Sequence, residues 1–217
     1  MSDLLEQRLK KFLHEVTVYP VSCEKLANGR TDNEWLEAVL SGGARIVQLR
    51  DKDADDRTLL EKAHIFRRKT AEAGALFIVN NRLDIALLAQ ADGIHLGNSD
   101  IPAQEARKLA PDLIIGLSCN NAEQAATAED RGASYFNIGP LFPTATKQGL
   151  TAFLGTDAIR RFSAKSALPF TVMGGIKIEH VPSLITLGAR RLAVVTALTQ
   201  AIDIKKETRQ WIAAITA

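Results

Sequence analysis

The chain has 217 residues, 46% of them hydrophobic, enough to bury a large core in one domain, and no Pro/Gly/Ser-rich linker divides it. Its 27 basic and 25 acidic residues are dispersed and give a net charge of +2, which excludes a nucleic-acid stripe or a membrane patch but leaves local lysines for a small anion. Two cysteines, Cys23 and Cys119, are too far apart for a disulfide framework or a zinc knuckle.

The first predicted element is an amphipathic helix in MSDLLEQRLKKFLHE, with Asp3 and Glu6 at capping-box spacing and Leu5, Leu9, Phe12 and Leu13 on one face. That segment lacks the apolar stretch of a secretory signal, and no run approaches membrane-spanning length, so a cytoplasmic protein without a membrane partner is expected. Eight short apolar runs follow: VTVYPVS (16–22), RIVQL (45–49), LFIVN (76–80), DGIHL (92–96), LIIGLS (113–118), SYFNIG (134–139), PFTVMG (169–174) and RLAVVT (191–196). Helical stretches separate most of them, several opened by capping signatures: Thr31 with Glu34, Thr58 with Glu61, Asn121 with Gln124. Runs without clean alternation suit parallel strands covered on both faces. Strand and helix thus alternate in an α/β pattern, which predicts a (β/α)8 TIM barrel with an extra N-terminal helix, spanning 1–217 as one domain. A doubly wound open sheet is the alternative.

In a barrel, the loops leaving the C-terminal ends of the strands build the active face. Polar residues collect after the apolar runs: Gln48, Arg50 and Lys52; Asn80, Asn81 and Arg82; Gly97, Asn98, Ser99 and Asp100; Ser118; Thr144, Thr146 and Lys147; Gly174 and Gly175; Thr196. Alternation within VQLRDK puts Gln48, Arg50 and Lys52 on one side of an extended chain, and with Lys147 they could neutralise a phosphate or pyrophosphate. The competing reading pairs Arg50 and Lys52 with Asp51, Asp53 or Asp55. The Gly-Gly pair admits an anion to backbone N–H groups where barrels frequently bind phosphate, or it simply turns the chain. Asp100 reads either as a Mg²⁺ carboxylate working with substrate phosphate oxygens or as a helix cap before Pro102. His95 alternates with Ile94 and Leu96, so it either faces the barrel mouth or is structural. Cys119 has no base in view, and GxGxxG and P-loop patterns are absent.

VQLRDK (47–52), FIVNNRLDIALLAQADGIHLGNSDIP (77–102), IGLS (115–118), IGPLFPTATK (138–147), GGI (174–176) and AVVTAL (193–198) together resemble the thiamine phosphate synthase family, in order and spacing, over roughly residues 17–202. The resemblance implies a TIM-barrel transferase of thiamine biosynthesis that joins hydroxymethylpyrimidine diphosphate to hydroxyethylthiazole phosphate with Mg²⁺ and releases pyrophosphate. It implies that Arg50, Lys52, Asn80 and Lys147 meet the diphosphate, that Gln48 and Ser118 face the pyrimidine, and that Thr144 and Thr146 lie near the thiazole and the phosphates. Gly174, Val195 and Thr196 would cradle the thiazole phosphate, with Gly175 added by the reading of the Gly-Gly pair, and Asp100 would be a metal carboxylate. The chain departs from the family pattern at Asn81, where Asp is usual, in GNSD, and at Thr196, where Ser is usual. A thiazole-phosphate tautomerase, or a binder of the same ligand, is therefore the second reading. The partners expected are phosphorylated small molecules and no nucleic acid, while a homo-oligomer is compatible with the sequence.

Overall fold

The barrel's architecture rests on strands with two different faces, visible in a computed structural model that describes residues 2–144 and 152–217. The strands are β1 (Val18–Pro20), β2 (Ile46–Leu49), β3 (Leu76–Asn80), β4 (Gly93–Leu96), β5 (Ile114–Cys119), β6 (Tyr135–Ile138), β7 (Phe170–Met173) and β8 (Leu192–Val194). All pair in parallel, in the order β1-β8-β7-β6-β5-β4-β3-β2, and a parallel bridge between Val21 and Gln48 with a Ser22 N–H to Gln48 carbonyl bond of 2.9 Å brings β1 back to β2. This is the predicted TIM-like barrel, and the open-sheet alternative falls.

Side chains alternate across each strand, so one set points outward and the next inward. Val47 and Leu49, Phe77 and Val79, Ile115 and Leu117, Phe136 and Ile138 join the outer core with the helices. Ile46, Leu76, Ile78, Ile114, Tyr19, Tyr135 and Ala193 form a second, inner cluster. The outer layer comprises α2 (Asp32–Ser41), α3 (Asp56–Glu72), α4 (Leu83–Leu88), α5 (Ala103–Leu109), α6 (Ala122–Ala126), α7 (Asp157–Ser163), α8 (Val181–Thr186), a short α9 (Thr196–Thr199) and α10 (Ile204–Thr216), numbered after the N-terminal α1 (Asp3–His14).

α1 packs on the inner cluster rather than the outer core. Its Leu5 and Phe12 are buried among the interior residues, with the Phe12 ring 4.7 Å from that of Tyr135. Arg8 donates to the Asp112 carbonyl at 2.8 Å and to the Asp92 carboxylate at 3.2 Å, and Arg191 donates to the Phe12 carbonyl at 2.8 Å. Asp92, Asp112 and Arg191 all lie just ahead of a strand, so α1 stops the N-terminal mouth of the barrel. Its cap is Ser2 rather than Asp3, because the Ser2 hydroxyl accepts from the Leu5 N–H, and Leu13 is exposed. α3 likewise starts earlier than expected: Asp55 caps it, and Thr58 supplies the capped N–H instead of the cap. The capping box at Thr31 and Glu34 is present, and Asn121 caps α6 through the Gln124 N–H. Among the described residues no helix is long and apolar enough to cross a membrane.

Candidate active site

Inward-facing residues change character along the strands. Ile46 gives way to Gln48 on β2, Ile78 to Asn80 on β3, Gly93 to His95 on β4, Gly116 to Ser118 on β5 and Tyr135 to Asn137 on β6. The barrel interior is thus apolar toward α1 and polar toward the C-terminal mouth, where buried polar atoms need partners. Thr171 donates to Asn137 at 2.9 Å. Gln48 Nε2 donates to the Tyr19 hydroxyl at 2.9 Å; the Tyr19 and Tyr135 hydroxyls are 3.1 Å apart; Tyr135 lies 3.0 Å from His95 Nδ1, and His95 Nε2 lies 3.0 Å from Ser118 Oγ. Burial pushes the His95 imidazole down to about 4 and both phenols upward, so all three are neutral near pH 7. His95 therefore faces inward, and it joins Gln48 to Ser118 through two tyrosines.

The loop after β2 decides between the two readings of Arg50 and Lys52. Asp51 is 2.6 Å from Lys62 Nζ and accepts the Asp53 and Ala54 N–H groups at 3.1 Å; Asp53 pairs with Lys25, and Asp55 caps α3. Lys62 also holds Asp32 at 2.9 Å and Glu24 at 3.0 Å. Burial raises Asp32 to about 6. For Lys62, burial acts downward, but the bonds to Asp51, Asp32 and Glu24 outweigh it and raise the ammonium. Every neighbouring acid is engaged elsewhere, so Arg50 and Lys52 carry no ion pair among the described residues. The Arg50 backbone N–H is fixed by Ser22 Oγ at 3.0 Å, and its guanidinium lies 3.7 Å from Cys23 Sγ. Arg82, by contrast, is tied to Asp84 and Asp56.

Asp100 does not cap α5. That helix starts after Pro102 without a side-chain cap, whereas the Asp100 carboxylate accepts the Gly97 N–H at 2.5 Å and the Asn81 Nδ2 amide at 2.9 Å. Asn81 has a φ of 66°, a left-handed conformation that Asn tolerates better than most residues, and its own N–H bonds to the His95 carbonyl at 2.9 Å. No group of three or more His, Cys, Asp or Glu side chains is arranged for a metal among the described residues. One carboxylate beside an amide fits Mg²⁺, which takes one or two acidic ligands and fills the rest with substrate oxygens and water.

The glycine pair after β7 has a packing role that the sequence did not expose. Gly174 and Gly175 have φ of 98° and 62°, and a Cβ on either would overlap Pro140 or the Pro143 carbonyl. The Leu141 and Phe142 N–H groups bond to the Met173 and Gly174 carbonyls at 2.9 and 3.0 Å. The loops after β6 and β7 are thereby laced together, which accounts for two glycines without a ligand. Val195, buried, and Thr196 stand where β8 passes into α9, on the strand beside β7. Thr144 ends the described part of the preceding loop, and Thr146 and Lys147 lie outside the described residues.

Gln48, Arg50, Lys52, Asn80, Asn81, Asp100, Ser118, Thr144, Gly174, Gly175, Val195 and Thr196 thus all fall at the C-terminal ends of strands or in the loops that follow them. Tyr19, Tyr135 and Lys62 were missed as parts of the site. One signal for Tyr135 was available: Gly116 is paired with it across β5 and β6, and a Cβ there would overlap its ring.

A family model for thiamine monophosphate synthase matches residues 18–198. The thiamine-phosphate synthase of Shouchella clausii is 38% identical over 199 residues, covering 91% of this chain and 95% of that protein. That of Methanospirillum hungatei is 40% identical over 195 residues, covering 89% and 95%. A thiamine phosphate pyrophosphorylase structure from Pyrococcus furiosus superposes with a TM-score of 0.87 at 31% identity, covering 94% of this chain and 98% of that one. On fold, site geometry and these likenesses, the chain belongs to the thiamine monophosphate synthase family.

Proposed function

We infer that this chain joins hydroxymethylpyrimidine diphosphate to hydroxyethylthiazole phosphate, breaking the pyrimidine methylene's bond to the diphosphate oxygen and forming one to the thiazole nitrogen, with pyrophosphate released. The observation that carries this reading is the pair of cations, Arg50 and Lys52, that carry no ion pair among the described residues, next to Asp51, Asp53 and Asp55, each engaged elsewhere. Negative charge builds on the departing pyrophosphate, and fixed cations that meet it there lower the barrier. Lys147 is proposed to join them, with Asn80 positioning the same group. Gln48 and Ser118 would hold the pyrimidine, and Thr144, Thr146, Gly174, Gly175, Val195 and Thr196 the thiazole phosphate. Asp100, with the amide of Asn81, would hold Mg²⁺, which when bound neutralises phosphate charge. No protein nucleophile is needed, in keeping with Cys119, whose thiol burial pushes up to about 11.

The test is turnover of the two phosphorylated substrates with and without Mg²⁺, reading thiamine phosphate and pyrophosphate together. Equal yields of both products support the reading. Thiazole-phosphate binding with no product at any Mg²⁺ concentration moves the assignment to the tautomerase or binder, which Asn81 in place of a carboxylate favours.

A further inference from the structure

The structure assigns His95 and Tyr135 as positioning residues that fix the Ser118 hydroxyl as a hydrogen-bond donor to the ligand, through a one-way chain of protons across the barrel interior. The direction follows from counting hydrogens. Gln48 Nε2 can only donate, so Tyr19 accepts from it at 2.9 Å. Tyr19 is buried, and among the described residues its own hydroxyl proton has one acceptor in reach, the Tyr135 oxygen at 3.1 Å. Tyr135, having accepted, sends its proton to His95 Nδ1 at 3.0 Å. A neutral imidazole whose Nδ1 accepts carries its hydrogen on Nε2, which donates to Ser118 Oγ at 3.0 Å. The Ser118 hydroxyl, filled from below, keeps its own hydrogen for a group in the mouth.

With the Gln48 amide presenting Nε2, the reverse order would leave the buried Tyr19 proton without an acceptor while Tyr19 still receives from Gln48, a cost that buried polar groups rarely bear; the reverse order requires that amide turned to present Oε1. At the other end of the same chain, Gln48 spends an N–H on Tyr19. The interior is shaped for this line: Gly116 leaves the space that the Tyr135 ring fills, and Phe12 supports that ring from below at 4.7 Å. A hydroxyl fixed as donor selects a ligand that presents an acceptor, such as an unprotonated ring nitrogen of a heterocycle. The identity of that heterocycle as the pyrimidine rests on the synthase reading; the proton order does not.

Two measurements test it. In ¹⁵N-histidine-labelled, ligand-free protein, the ring nitrogens of His95, assigned by their loss in His95→Asn, should show the neutral Nε2–H tautomer. Tyr135→Phe should destroy that fixed tautomer and weaken pyrimidine diphosphate binding about 5–10-fold in calorimetry, the range for one lost hydrogen bond, with thiazole phosphate affinity within about twofold. Ser118→Ala, at the half-exposed end, should weaken the pyrimidine equally but leave the tautomer unchanged, because Tyr135 sets it. An Nδ1–H tautomer in the wild type, a tautomer switch in Ser118→Ala, or unchanged tautomer and affinity in Tyr135→Phe each overturns the assignment. Should Tyr135→Phe not fold, the wild-type tautomer and Ser118→Ala decide. Wild-type protein that binds no pyrimidine diphosphate refutes the synthase reading, while the tautomer still decides the proton order.

Discussion

Replacing Lys62 with Met removes the single cation that three carboxylates share and tests how the β2 loop is held. Glu24 is 40% exposed, and an ion pair of that kind contributes only about 0–1 kcal/mol after solvent screening. Asp51 and Asp32 are more enclosed, with side chains 16% and 3% exposed, so each charge-assisted bond is worth about 1–1.5 kcal/mol net. Together the loss at pH 7 should be about 2–4 kcal/mol. The pH dependence has a definite sign. Glu24 and Asp51 are held below their usual range: burial alone would raise them, but hydrogen bonds and the Lys62 charge prevail, so their stabilisation is present above their unfolded values and is lost as pH falls through the folded ones. Asp32, raised by burial to about 6, disfavours the fold progressively as pH climbs from about 4 to 6, and without Lys62 that rise continues further. Each acid therefore makes Lys62→Met more damaging at neutral than at acid pH. Urea unfolding at pH 7 and at about pH 2, below the depressed carboxylates, should show the full difference at the first and under about 1 kcal/mol at the second, once the carboxylates are protonated. An equal loss at both pH values would refute the electrostatic account and leave only the packing of the lysine stem.

Arg50→Ala should leave the fold intact by circular dichroism yet cut turnover by a factor corresponding to about 2–4 kcal/mol of transition-state stabilisation, and normal kinetics would remove the clamp. Asn81→Asp places a second carboxylate where an amide now donates to Asp100 at 2.9 Å, so the variant should melt lower than wild type without Mg²⁺, regain stability as Mg²⁺ is added, and need less Mg²⁺ for half-maximal turnover. A melting temperature indifferent to Mg²⁺ in the variant would take position 81 away from the metal. Gly175→Val should cost at least about 2 kcal/mol in urea unfolding, because the new side chain meets Phe142 and Pro143 at a positive φ; full stability with weak thiazole-phosphate binding would instead favour a pure cradle role.

Much of this was readable in the chain because the physics is local. The eight apolar runs became the eight strands, since β-branched residues in short runs between capped helices leave few other ways to bury both faces. Run ends shifted where a neighbour intervened: RLAVVT stops pairing at Val194 because Thr196 already opens α9. The loop residues were legible because polarity after a buried strand has little structural use. What stayed hidden was pairing across sequence distance. Whether Asp51 meets Arg50 or Lys62 depends on α3 lying over the β2 loop, and nothing in VQLRDK says so. Asp100 read equally as a cap, until the Asn81 amide and the Gly97 N–H appeared as its partners. Tyr19 and Tyr135 looked like ordinary core aromatics, because only the closed barrel brings their hydroxyls to each other and to His95.

Tyr135 has one further consequence, through its contact with the N-terminal helix. Phe12 of α1 presses on one side of the ring whose hydroxyl bonds to His95, and Arg191 both caps that helix and stacks over Phe12 at 5.0 Å. The stopper at one end of the tube thus touches the lining of the other. Work done on α1 at Phe12, as in Phe12→Ala, would travel about the thickness of one side chain before reaching the hydroxyl that bonds to His95. A change at Phe12, at the closed end, is thus expected to register at His95 and Ser118, at the open one.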